Sequence, residues 1–130
     1  GVEVPETVEG RSLAPLLRGE APAWREWLHL EHAPLFHALT DGREKYVWFV
    51  ADGREQFFDL AADPNECCDL ARDPAQAERL ARWRACLTAE LADRPEGFVE
   101  GGKLVPGRSY ASVLPHAGVA DSGAFRIAYY

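Results

Sequence analysis

Asp41-Gly42-Arg43-Glu44-Lys45-Tyr46-Val47-Trp48-Phe49-Val50-Ala51-Asp52-Gly53-Arg54-Glu55-Gln56-Phe57-Phe58-Asp59-Leu60 is the stretch that decides how this chain folds. The tetrapeptide Asp-Gly-Arg-Glu occurs in it twice, at Asp41 to Glu44 and at Asp52 to Glu55. Asp-Gly favours the left-handed backbone of a tight hairpin turn, where a Cβ on the second residue would clash. Two such turns bracket the run Lys45 to Val50 and predict an antiparallel meander. In the bracketed strand Tyr46 and Trp48 face one side and Val47 and Phe49 the other, so both faces are apolar, as in a central strand. The aromatic and branched pattern extends back through Phe36, Leu35, Leu30, Leu28 and Trp27 to Trp24, and forward through Phe57 and Phe58 to Leu60.

Outward from the sheet, Asp63-Pro64-Asn65-Glu66 and Asp73-Pro74-Ala75-Gln76 share one form. An Asp stands at the N-cap, a Pro at the first helical position, and a Glu or Gln three residues after the Asp, so each predicts a helix start. The first has room for only a few helical residues. The second continues through Leu80, Trp83, Leu87 and Leu91, a spacing that lays one apolar seam on a helix, until Asp93-Arg94-Pro95 stops it. Near the start of the chain Ser12 is a plausible N-cap, Leu13, Leu16 and Leu17 share a helical face, and Gly19 ends a helix of little more than one turn. Too short to stand alone, that helix predicts docking onto something larger.

The expected fold is α+β: a small antiparallel sheet of about four strands packed against one long C-terminal helix, with a loop-rich tail. Residues 1–23 read as a linker with the short docking helix, 24–95 as the sheet-plus-helix unit, and 96–130 as the tail, which holds Gly97, Gly101, Gly102, Pro106, Gly107, Pro115 and Gly118. The closing run Ala124 to Tyr130 is open to three readings: an edge strand, an arm on a partner, or an out-of-register scar.

Composition narrows the function classes. A net charge of -7, from 14 basic and 21 acidic residues, disfavours a phosphate-tracking nucleic-acid binder. No apolar run reaches the roughly 20 residues of a membrane helix, and the first residues have neither the basic start nor the apolar stretch of a signal peptide. A start on Gly1 with no Met anywhere predicts a piece of a longer polypeptide. Cys67, Cys68 and Cys86 are an odd set with two neighbours, which reads as reduced thiols in place of a disulfide framework or metal site.

Several motifs in order carry a resemblance. Gly1-Val2-Glu3-Val4-Pro5 followed by Gly10-Arg11-Ser12-Leu13 and Leu16-Leu17 resembles the stretch of sulfatases just after the catalytic core. Leu39-Thr40-Asp41-Gly42-Arg43-Glu44-Lys45-Tyr46, Glu55-Gln56-Phe57-Phe58-Asp59-Leu60, Asp63-Pro64-Asn65-Glu66 and Asp69-Leu70-Ala71 resemble the hairpins and helix of the small C-terminal subdomain of arylsulfatase-like members of the alkaline phosphatase superfamily. The resemblance implies a parent enzyme that hydrolyses sulfate esters with a formylglycine beside a calcium ion, both in a core outside this chain. The motif that yields formylglycine, Cys/Ser-x-Pro-x-Arg, is missing: Cys68 is followed by Leu70 and Arg72 without the proline, and Cys86 by Thr88 and Glu90. The implied partners are that core, within the same parent chain, and a sulfate-ester substrate, with a homo-oligomer as an open possibility.

Glu31 and His32, at the end of a strand, are the candidate substrate-binding residues, since a His beside a carboxylate can orient an anionic ester. No catalytic residue and no metal ligand is assigned within the chain. His29, Glu31 and His37 can be drawn together as a metal set, but a further ligand at fixed spacing is missing. Core packing accounts for Trp48 and Trp83 better than stacking on a sugar does. Arg72, Arg79, Arg82, Arg84 and Arg94, interleaved with Asp69, Asp73, Glu78 and Glu90, read as a solvated, salt-bridged face, and His116 as an exposed loop residue. The rival readings are a non-catalytic glycan-binding module and a protein-interaction module.

Overall fold

The computed structural model describes residues 5, 6, 8 and 10–109. Its centre is a four-stranded antiparallel sheet in the order β1-β2-β3-β4, formed by β1 (Leu28–His32), β2 (Phe36–Thr40), β3 (Glu44–Phe49) and β4 (Glu55–Asp59). Both Asp-Gly pairs turn hairpins as expected, with Gly42 at φ 84° and Gly53 at φ 73°. Each Asp also fixes its own turn: the Asp41 carboxylate accepts the Arg43 and Glu44 N–H groups at 2.8 Å, and Asp52 accepts that of Arg54 at 3.0 Å. Tyr46 stands opposite Leu39 on β2 and Phe57 on β4, so β3 is the central strand its two apolar faces predict. The β1–β2 connection contains a cis Ala33–Pro34 peptide.

Alternation divides the sheet into two unlike faces. On one, Leu39, Tyr46, Trp48 and Phe57 pack beneath Leu80, Trp83, Leu87 and Leu91 of the helical segment and beneath Phe98. Each of these large side chains taken from water contributes about 1.5–3 kcal/mol, so this layer carries most of the hydrophobic stabilisation. On the other, Ala38, Val47 and Phe58 form a smaller cluster with Phe36, Phe49 and Leu60 at its rim. Leu28 and Leu30, on that same face of β1, remain exposed.

The helical segment opens as the sequence predicts, with the Asp73 carboxylate accepting the Ala75 N–H at 2.9 Å and Pro74 following it. The first turn, Pro74–Gln76, is 3-10, and α2 (Ala77–Glu90) continues for 14 residues with Leu80, Trp83 and Leu87 buried. Helix α1 (Ala14–Leu17) is one turn whose N-cap is Leu13 and not the expected Ser12, although the Ser12 hydroxyl accepts the Ala14 N–H at 3.2 Å, and Gly19 lies in the left-handed region just beyond. Its Leu13, Leu16 and Leu17 all face water.

Three further expectations need correction. Asp63-Pro64-Asn65-Glu66 starts no helix: Glu66 has φ 55°, and the Asp63 carboxylate accepts the N–H of Cys68, five residues on, at 2.8 Å. The turn it makes brings Asp69 and Leu70 onto the free edge of β4, where the Asp69 carboxylate accepts the Phe57 N–H and the Leu70 N–H bonds the Phe57 carbonyl. That seals an edge that would otherwise pair with another strand. Second, the start of the tail is not all loop, because β5 (Val99–Glu100) and β6 (Lys103–Leu104) pair around Gly101-Gly102 and Phe98 is fully buried. Third, the arginines do not bridge to their neighbours on the helix. Arg79 meets Glu44 and Asp59, Arg82 meets Glu44, Arg84 meets Glu55 and Arg94 meets Glu31, acids that lie on strands, while Arg94 also pairs with nearby Glu96. Helix-to-sheet distance, which periodicity does not encode, chooses these partners. His116 and the run 124–130 lie outside the described residues.

Candidate functional site

Alternation along β1 separates the two residues singled out for substrate binding. Glu31 shares the helix-side face with His29, whereas His32 points to the opposite face, where its ring stacks on Phe36 at a centroid distance of 5.4 Å. The strand end therefore presents one of them on each side, and they do not converge on a common point.

Glu31 lines a groove of about 570 Å³ together with Arg11, Arg25, Trp27, His29 and Glu90, between the edge strand β1, the end of α2 and the segment leading into β1. A second groove of about 420 Å³ adjoins it through Arg25 and Trp27 and is lined by Trp24, Leu28 and the Thr40–Gly42 turn. Arg94 holds Glu31 with its two terminal guanidinium nitrogens, at 3.0 and 3.4 Å, and also pairs with Glu96 at 2.9 Å. Glu31 is thus already ion-paired within the chain, with its carboxylate fixed at the edge of the groove.

Behind Glu31 runs a contact sequence that the chain alone did not single out. Glu90 lies 3.7 Å from the His29 ring, and His29 Nε2 is 3.1 Å from His37 Nδ1. His37 is fully buried, edge-on to Phe98 at 5.0 Å and stacked near Trp48 at 6.3 Å. Burial first, then the nearby charges of His29 and Arg94, pulls its pKa from 6.5 down to about 4, with Glu96 opposing. His37 is neutral at neutral pH as a consequence. Of the drawn set His29, Glu31 and His37, the two rings bond each other and Glu31 goes to Arg94. Among the described residues no group of three or more His, Cys, Asp or Glu side chains is arranged to hold a metal ion. Cys67 and Cys68 are exposed thiols, and Cys86 is a partly buried one.

The His29–His37 proximity follows from the β1–β2 register, which the Asp-Gly turns do not set: with His29 opposite Leu39, His37 falls on the same face as His29, diagonally across. Arg94 and Glu90 carry no such signal, since their approach depends on where α2 crosses the sheet.

No family model matches the chain. An arylsulfatase of Clostridium perfringens is 36% identical over 118 residues, which span 88% of this chain and 24% of that protein. A Delta 4,5-hexuronate-2-O-sulfatase of Bacteroides thetaiotaomicron is 34% identical over 99 residues, covering 67% of this chain and 20% of its own length. The solved structure of a 2-O GAG sulfatase superposes with a TM-score of 0.62 at 28% identity, over 75% of this chain and 23% of the other. The chain therefore spans only a fifth to a quarter of the relatives it matches. Agreement in sequence over most of the chain, and in backbone superposition over three quarters of it, has one common source: this chain belongs to the sulfatases of the alkaline phosphatase superfamily and corresponds to a partial, C-terminal region of them.

Proposed function

We propose that this chain is the C-terminal portion of an enzyme that hydrolyses sulfate esters, where it completes the packing of the catalytic core and walls one side of the substrate cleft. The single observation that supports this reading most is the match of 88% of the chain to 24% of an arylsulfatase. The surface agrees with it. Leu28 and Leu30 on the sheet face away from α2, with Leu13, Leu16 and Leu17 of α1, are exposed apolar side chains of the kind that a larger partner buries. The catalytic core of the parent chain is the partner of matching chemistry.

The groups expected in such an enzyme do not fit the residues here. No Cys/Ser-x-Pro-x-Arg segment is present to become formylglycine, and among the described residues no group of three or more His, Cys, Asp or Glu side chains is gathered to hold a cation. Nucleophile and calcium belong, on this reading, to the core. Its own contribution is to orientation: Glu31 and Arg94 on the groove side of β1, and His32 on the other side, set which ester fits and act on affinity more than on the chemical step.

Two measurements test the reading. The parent enzyme hydrolyses a chromogenic aryl sulfate or another sulfate ester and the purified 130-residue chain does not. Desulfation by the chain alone, or a parent inactive on every sulfate ester of a broad panel, would overturn it. In the parent enzyme, Glu31→Gln and His32→Ala made separately raise KM about 3- to 10-fold with kcat changed less. A variant with both constants unchanged removes its residue from the substrate wall, and the separation of the two side chains across β1 lets one fail without the other.

A further inference from the structure

β1 is an edge strand, and four of its five residues are exposed, which places it among the segments of lowest local stability. Besides its ladder to β2, side-chain ties hold it, among them Arg94 to Glu31, Glu90 to His29, and His29 to His37. The last tie has an unusual requirement. A hydrogen bond between two imidazoles needs an N–H on one and a lone pair on the other, so with the 3.1 Å contact intact the two rings share at most one positive charge. Glu90, at 3.7 Å, faces the outer part of the His29 ring. A second proton turns both facing nitrogens into donors, and the contact has to break.

We propose that the His29–His37 pair is an acid-sensitive latch, which releases β1 from the sheet while β2, β3 and β4 stay folded. The charges that face the pair come from every neighbouring element: Glu90 from α2, Glu31 from β1 itself, Arg94 and Glu96 from the segment after α2, and Arg11, Arg25 and Glu26 around the groove. Arg94 opposes the second proton and Glu96 favours it. The burial that holds His37 at about 4 in place of 6.5 is reduced when β1 and the His29 ring swing away, although Phe98 and Trp48 stay against it. The opening equilibrium of β1 therefore rises by up to about 20-fold on going from neutral pH to about pH 5, because the open form binds the proton that the closed form resists. If Glu31 and His32 face substrate, as proposed above, acid withdraws them together. That consequence rests on the functional reading, whereas the latch does not.

The test is amide hydrogen exchange of the 130-residue chain, followed by NMR at neutral pH and at about pH 5, with intrinsic exchange rates removed. Exchange of the β1 amides that bond β2 is expected to rise several-fold, up to about 20-fold, relative to the β3 amides. His37→Gln abolishes the rise. His29→Gln reduces it, since the amide oxygen accepts a hydrogen bond from a protonated His37. The proposal is overturned if β3 opens along with β1, if the rise survives in His37→Gln, or if His29→Gln keeps it in full, which would leave burial alone as the cause. Both variants preserve a polar group at the contact, and β1 exchange in the unaltered chain decides the matter if either one fails to fold.

Discussion

Replacing Glu44 by alanine is the sharpest test of how α2 is held to the sheet. Glu44 begins β3, its side chain is 13% exposed, and it accepts hydrogen bonds from Arg79 Nε and Arg82 Nη2 at 2.7 Å and from the indole N–H of Trp83. Glu44→Ala leaves that indole donor inside a core where Trp83 is 2% exposed. A buried donor without an acceptor costs about 1–3 kcal/mol. The two lost guanidinium contacts add about 1 kcal/mol between them, a discounted figure because Arg79 and Arg82 are 35% and 58% exposed and Arg79 keeps Asp59. The expected loss is about 3 kcal/mol, a large part of the roughly 5–15 kcal/mol that holds a domain folded. Trp83→Phe removes the donor instead, so in the double variant the unsatisfied group disappears and the losses sum to about 1–2 kcal/mol less than additivity. Urea unfolding followed by circular dichroism at neutral pH measures all three variants. A cost below about 0.5 kcal/mol for Glu44→Ala, or strict additivity in the double variant, refutes the account of Glu44 as the acceptor that joins helix to sheet.

The two hairpin glycines should respond unequally to Ala: both have positive φ, but a Cβ at Gly53 comes within 3.2 Å of the Pro106 ring while one at Gly42 meets open space. Gly42→Ala is expected to lose about 1 kcal/mol and Gly53→Ala about 1 kcal/mol more, by the same urea measurement, and equal losses would count against a packed Pro106. Glu55 should contribute to acid sensitivity: burial pushes its carboxyl up, but hydrogen bonds from Arg84 and Tyr46 outweigh that and hold it below 4.5. Its stabilisation is then complete above the usual carboxylate range and is lost as pH falls through the lowered value, so Glu55→Gln should flatten that part of a stability-against-pH curve, and an unchanged slope would contradict it.

Much of this molecule was determined by the chain order alone. Asp41-Gly42 and Asp52-Gly53 set two turns and hence the register of three strands, because a tight turn fixes pairing and a period of two then assigns every face. The seam Leu80, Trp83, Leu87 and Leu91 likewise placed the buried side of the helix, since both signals are local and repeat with the backbone's own geometry. What only the tertiary structure decided lies between elements. Asp63 looked like a helix cap and became the anchor of a turn that seals β4, because capturing the Cys68 N–H lets the next residues satisfy an open sheet edge. Arg94 sits 63 positions from Glu31, and His37 became a neutral buried ring only where Phe98, Trp48 and His29 closed around it. The candidate site shows the same division. Alternation along β1 could have told that Glu31 and His32 diverge, but the arginine that pairs with Glu31 and the groove it lines arise from the angle at which a helix crosses a twisted sheet, and no spacing within one chain segment records that angle.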